Sequence, residues 1–125
     1  TAIPEPITVE RIAARLVELC RTGQFAQCYR ELVAADAEAY EMPGFPDNHT
    51  TGVEALLAKS RAFAEKTDDF YGFSISDPIV QGNTFAVGMM IDMTEKGKER
   101  TKSHEICAYV VKDGKIVSEH FVYSM

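Results

Sequence analysis

The feature that most constrains this fold is a change of hydrophobic period near Asp69. Before it, apolar side chains return every three or four residues, the repeat of a helix that buries one stripe; after it they alternate, the repeat of a strand with two unlike faces. A chain that makes its helices first and its long strands afterwards is not built from alternating β-α-β units. It is expected to lay the helices across one face of an antiparallel meander.

Thr8 can cap a first helix in which Val9, Ile12, Ala13, Leu16, Leu19 and Cys20 share a face, ending near Thr22-Gly23. Phe25, Cys28, Leu32 and Val33 repeat the spacing to about Ala35, predicting a second helix in a tight hairpin with the first. Ala37 to Met42 reads as a short strand, stopped by the turn-rich run Pro43-Gly44-Phe45-Pro46-Asp47-Asn48. Thr50 or Thr51 can cap a third helix carrying Val53, Leu56, Leu57, Ser60, Phe63 and Ala64 on one face.

Tyr71, Phe73 and Ile75 then alternate with small residues as far as Asp77-Pro78. Three long strands follow, Phe85 to Thr94, Arg100 to Val111 and Ile116 to Tyr123, separated by turns at Lys96-Gly97-Lys98 and Asp113-Gly114. The Asp-Gly pair is the sharpest local signal, because a two-residue type I′ turn needs positive φ at both centres. Strands this long twist and curl, so helices on their concave side leave a conical hollow. The expected architecture is one α+β domain spanning 1–125: a curved antiparallel sheet, a cone-shaped half-barrel, with three N-terminal helices over its concave face.

Composition narrows the partners. A formal charge of −6 with dispersed Lys and Arg argues against nucleic acid or anionic lipid, both of which need a concentrated basic surface. Cys20, Cys28 and Cys107 form no CxxC arrangement and cannot all pair, which suits a reducing, cytoplasmic compartment. Thr1 to Thr8 has no basic stretch followed by an apolar run, so no signal peptide is expected there, and no stretch has the length of a membrane span. His49, His104 and His120 lack the spacing that sets two imidazoles on one face, so no metal and no other cofactor is expected. Met89, Met90 and Met93 read as core and pocket lining, and Asp92 as a solvated acid near a turn.

The chain resembles the nuclear transport factor 2-like superfamily, and within it the SnoaL-like polyketide cyclases and ketosteroid isomerase-like proteins. The resemblance is carried by Gly23-Gln24-Phe25, Asp36-Ala37-Glu38-Ala39-Tyr40-Glu41, Thr51-Gly52-Val53-Glu54-Ala55-Leu56 and Asp113-Gly114-Lys115-Ile116-Val117, in that order, over nearly the whole chain. It implies the same cone-shaped fold, a homodimer through the outer sheet face, and a small apolar or polycyclic carbonyl-type ligand. It implies either cofactor-free proton transfer of the isomerase, cyclase or dehydratase type, or a noncatalytic binding or assembly module, since one architecture hosts both.

Matching from Asp36-Ala37 puts Glu41 at the resemblance's proton-shuttling carboxylate; anchoring on Pro43 puts Met42 there, and one residue along a strand reverses the face. The tyrosine of the oxyanion hole falls near Leu16 or Val17, and its strand acid near Ile106, all apolar. His104, on the face of Ile106 and Ala108, could supply the missing donor. On the last strand Glu119, Phe121 and Tyr123 share one face and Ser118, His120 and Val122 the other. The resemblance turns the Glu119 set inward; the opposite register would turn His120 in. The expected site is therefore Glu41, His104 and Glu119 for chemistry, with Tyr123, Phe121, Leu16, Phe63, Ile106 and Ala108 around the ligand.

Overall fold

The computed structural model describes residues 7–124. Residues 1–6, which make up most of the segment expected to carry no signal peptide, lie outside the described residues, as does residue 125. Among the described residues no helix is long and apolar enough to cross a membrane.

Thr8 caps α1 (Val9–Arg21), its hydroxyl accepting the Arg11 N–H at 3.2 Å. The turn at Gly23 (φ +74°) leads into α2 (Phe25–Leu32). This helix stops three residues before the expected Ala35, because Val33 is already extended and pairs with Ile116. Tertiary pairing there overrides helical periodicity. The chain passes directly into β1 (Val33–Tyr40), longer at its start than the expected strand. His49–Thr51 forms β2, antiparallel to β1, so neither Thr50 nor Thr51 caps the next helix. Gly52 (φ +95°) occupies the N-cap of α3 (Val53–Lys66), and its N–H donates to the Ala37 carbonyl at 2.7 Å.

The remaining strands are β3 (Thr67–Ile75), β4 (Ile79–Gln81), β5 (Thr84–Glu95), β6 (Arg100–Lys112) and β7 (Lys115–Tyr123). They form a seven-stranded sheet in the order β2-β1-β7-β6-β5-β3, with β4 also on β5. The sheet is curved, unclosed and mixed. The expected all-antiparallel pairing fails at one place: β7 lies parallel to β1, because the last strand of the meander returns beside the early strand in the same direction. Buried Ile12, Leu16 and Leu19 of α1 pack over the inner face, where Val87, Cys107 and Tyr109 complete the core and the Phe85 and Tyr109 rings stack at 4.8 Å.

The β6–β7 hairpin sets the site. Asp113 (φ 52°) and Gly114 (φ 75°) make the expected turn, and Lys112 pairs with Lys115 and Val111 with Ile116. The register then slips, pairing Val110 with Ser118 and Tyr109 with Glu119, so that Val117 is an extra residue in β7. Across this bulge Ile116 and Glu119, an odd spacing apart, are both buried. On β6, Glu105, Cys107 and Tyr109 keep the parity of buried Val111 and face inward, and the bulge brings Glu119 opposite them.

Candidate functional site

A cavity of about 720 Å³ lies between the inner sheet face and the helices. Its walls are mostly apolar, with Leu16 of α1, Phe25 of α2, Phe63 of α3, Phe73 of β3, Met89 of β5 and Phe121 of β7 among them. Such a volume, with a few convergent polar groups, suits a drug-sized organic ligand. Those polar groups come from five elements: Tyr29 on α2, Glu41 just past β1, Lys59 on α3, Glu105 and Tyr109 on β6, and Glu119 and Tyr123 on β7.

Glu119 is the group under greatest physical tension. It is only 4% exposed, and its Oε1 has no hydrogen-bond partner among the described residues. Burial disfavours its charged form and pushes its pKa up to about 7, an effect that the Tyr29 hydroxyl and the more distant Lys59 ammonium partly oppose. A carboxyl poised there can exist in either protonation state at neutral pH, which is what a proton carrier requires.

Glu41 sits differently. The Tyr123 hydroxyl donates to its Oε2 at 2.5 Å and the Lys59 ammonium lies 3.4 Å from its Oε1. Desolvation of the phenol, and after it the bond to Glu41, keep Tyr123 protonated. Met42 faces elsewhere, its sulfur taking the Tyr123 N–H at 3.1 Å. Of the two alignments of the short strand, the one that turns Glu41 towards the cavity therefore matches the geometry.

Glu105 also lines the cavity, pushed above the ordinary carboxylate range by burial, against which the Cys107 thiol works, and by the charge of Glu41. Deep in the floor, burial holds the phenols of Tyr29 and Tyr109 protonated.

The structure brings together Glu41, Glu119, Tyr123, Phe121, Leu16 and Phe63 around one volume. It does not bring His104, Ile106 or Ala108 there. His104 is exposed and lines a more open depression on the outer sheet face with Ile106 and Val122, which are 52% and 56% exposed. Ala108 pairs with His120, itself exposed and stacked on the Tyr40 ring at 4.8 Å. The physical reason is that β6 keeps the parity of buried Val111, which faces its odd-numbered residues inward, while the extra residue at Val117 brings Glu119 of β7 onto that same face. Asp92 is likewise not a solvated acid: it is 9% exposed and takes two hydrogen bonds from Arg100 at 2.9 Å, while that guanidinium lies over the Tyr71 ring. Met89 and Met93 line the cavity, whereas Met90 belongs to the outer depression.

Sequence reasoning missed Glu105, Tyr29, Tyr109 and Lys59. For Tyr29 a signal existed, since it lies one helical turn after Phe25 on the inward face of α2. Glu105 had one only if the face of β6 were known.

These features define a class: an α+β cone in which three helices and a mixed, curved sheet enclose a cavity with a few ionisable groups, the nuclear transport factor 2-like fold. A family model described as the SnoaL-like domain matches residues 7–123, and the chain belongs to that family. A SnoaL-like polyketide cyclase assignment from Mesorhizobium loti has a solved structure 35% identical to this chain, covering 93% of it and 99% of its own length at a TM-score of 0.88. An NTF2-like protein from Burkholderia thailandensis aligns at 19% identity over 94% and 91% of the two chains with a TM-score of 0.80. A Jannaschia protein, also assigned as a SnoaL-like polyketide cyclase, aligns at 12% identity over 99% and 92% with a TM-score of 0.75. The last two share the fold alone. No curated protein matches the chain.

Proposed function

We propose that the protein binds a largely apolar carbonyl compound in this cavity and moves a proton at the carbon beside the carbonyl, without a cofactor. The observation that carries the reading is Glu119: a carboxyl 4% exposed, in a largely apolar cavity, with one oxygen that has no partner among the described residues. Ionised, Glu119 removes the proton; the C–H electron pair moves into the carbon–carbon bond and the carbonyl π pair onto oxygen. Protonated, it returns the proton to the same or a conjugated carbon, so atoms and charge balance over the cycle. The buried phenol of Tyr109 supplies a donor for the oxygen. Glu41, held by Tyr123 and Lys59, is the second proton-handling carboxylate of this reading.

The test uses 2-tetralone, a bicyclic ketone with an acidic C–H, in D₂O with proton NMR. The expected result is deuterium incorporation faster than in buffer, lost in Glu119→Gln with the fold intact by circular dichroism. No acceleration by the wild type, or full activity in the variant, refutes the role.

One observation favours a second reading, a noncatalytic binding module: Glu41 already has two partners, so the position that the resemblance gives to the base is occupied. Saturable tetralone binding without exchange would support it. The outer sheet face, with Ile106 and Val122 exposed, is the proposed homodimer interface, and the three unpaired, buried cysteines suit a reducing cytoplasmic setting.

A further inference from the structure

The charges around the cavity do not balance. Three glutamates, Glu41, Glu105 and Glu119, face it, and among its lining residues Lys59 is the cation. Lys59 is committed to Glu41 at 3.4 Å, and Tyr123 is spent on the same carboxylate. No ion pair engages Glu105 or Glu119 within the described residues, and Glu119 keeps one buried oxygen wholly unpartnered. Asp68, exposed at the mouth, adds a fourth acid. Two of the acids stand among aromatic rings: on β7, Phe121 lies between Glu119 and Tyr123, and Glu105 is the cross-strand partner of Tyr123. Ring faces attract a cation and do nothing for an anion.

From this geometry we infer that the ligand is a cation, an apolar carbonyl compound bearing a protonated amine, and that the cavity rejects carboxylates. The inference rests on reading the cavity as a ligand site but not on the proton transfer. A carboxylate ligand would enter a desolvated site already holding two uncompensated acids. An ammonium would supply the missing donor to Glu119 and a counter-charge to Glu105, and charge-assisted bonds are the strong ones. The charge of such a ligand would also favour the ionised form of Glu119, the form that removes a proton.

Linkage gives the sign of the pH dependence. A cation binds the ionised carboxyls better, so protons leave on binding and affinity rises with pH through about 7. A neutral ketone accepting a bond from protonated Glu119 does the reverse. The charged or titratable groups facing Glu119 are Lys59 from α3, Glu41 just past β1, Glu105, Cys107 and Tyr109 from β6, Tyr29 and Cys28 from α2, and Cys20 from α1. The phenols, Cys28 and Cys107 are pushed up and stay protonated. Cys20 is drawn down by its contact with Cys28, so the profile is repeated in Cys20→Ala.

The experiment compares four naphthalenes that differ in one group: 2-(aminomethyl)naphthalene, 2-naphthalenemethanol, 2-acetylnaphthalene and 2-naphthoate. Their affinities are measured by calorimetry at pH 6, 7 and 8, in two buffers of different ionisation enthalpy. The amine should bind at least about tenfold tighter than the alcohol at pH 8, with the carboxylate weakest. Amine binding should release protons and strengthen with pH, and Glu105→Gln should lower the amine's affinity far more than the alcohol's, removing most of the amine's advantage. Equal or tighter binding of the carboxylate, proton uptake with the amine, or an amine preference undiminished in Glu105→Gln overturns the proposal. Wild-type proton release decides the matter even if the variant fails to fold. Binding of none of the four refutes the ligand site itself. Intact charge ranking without tetralone exchange refutes only the reaction.

Discussion

Replacing Glu119 by Gln should make the protein more stable, by an amount that grows as the pH rises from 4.5 to about 7 and is constant above it. The side chain keeps its shape and loses its charge, so what changes is the burial of an ionised carboxylate. Each tenfold change in proton affinity is worth ~1.4 kcal/mol, so holding the carboxyl at about 7 instead of its ordinary 4.5 costs the ionised folded state about 3 kcal/mol. The folded chain holds this proton more tightly than the unfolded chain does. The proton's contribution to stability is therefore fully present below 4.5, declines across the interval and is gone once the pH has risen through about 7. Wild type and variant share every other titrating group, so the difference between them isolates this one. At pH 5 their melting temperatures should agree closely; at pH 8 the variant should melt up to roughly 10 °C higher for a domain of this size. Thermal unfolding by circular dichroism at the two pH values is sufficient. A variant that is destabilised at pH 8, or a difference that does not change between pH 5 and pH 8, would show that Glu119 is not held as a costly buried acid. Such a cost without structural return is what a working site retains.

Glu41→Gln should keep the fold, since Gln still accepts from Tyr123, but abolish tetralone exchange; an unchanged rate removes Glu41 from the chemistry. Light scattering at micromolar concentration should report a dimer that Ile106→Asp with Val122→Asp converts to monomer; a wild-type monomer contradicts the outer-face interface. Deleting Val117 should lower stability by about 2–4 kcal/mol, because either Ile116 or the inward-facing Phe121 and Tyr123 must then leave the interior. A melting temperature unaffected by that deletion would refute the part given to the bulge.

That extra residue also explains why half of the site was legible in the sequence and half was not. The helices, the Asp113-Gly114 turn and the inward set Glu119, Phe121 and Tyr123 follow from periodicity, turn chemistry and resemblance. An uninterrupted hairpin from that turn would oppose Tyr123 to His104, Phe121 to Ile106 and Glu119 to Ala108, which is the pocket that the expected residues describe. The observed partners are Glu105, Cys107 and Tyr109. Composition could not choose between them, because Ile106, Ala108 and Val110 are as apolar as Cys107, Tyr109 and Val111, and period-two alternation says that faces differ without saying which is inside. The missing information was a parity. Ile116 and Glu119 can both be buried only if the strand gains a residue between them, and once it does, a carboxylate takes the place in the cavity wall that a histidine was expected to hold. The chemistry shifts with it. A wall with an imidazole could be neutral or positive, whereas the wall that forms carries Glu105 beside Glu41, and one inserted valine brings Glu119 to join them.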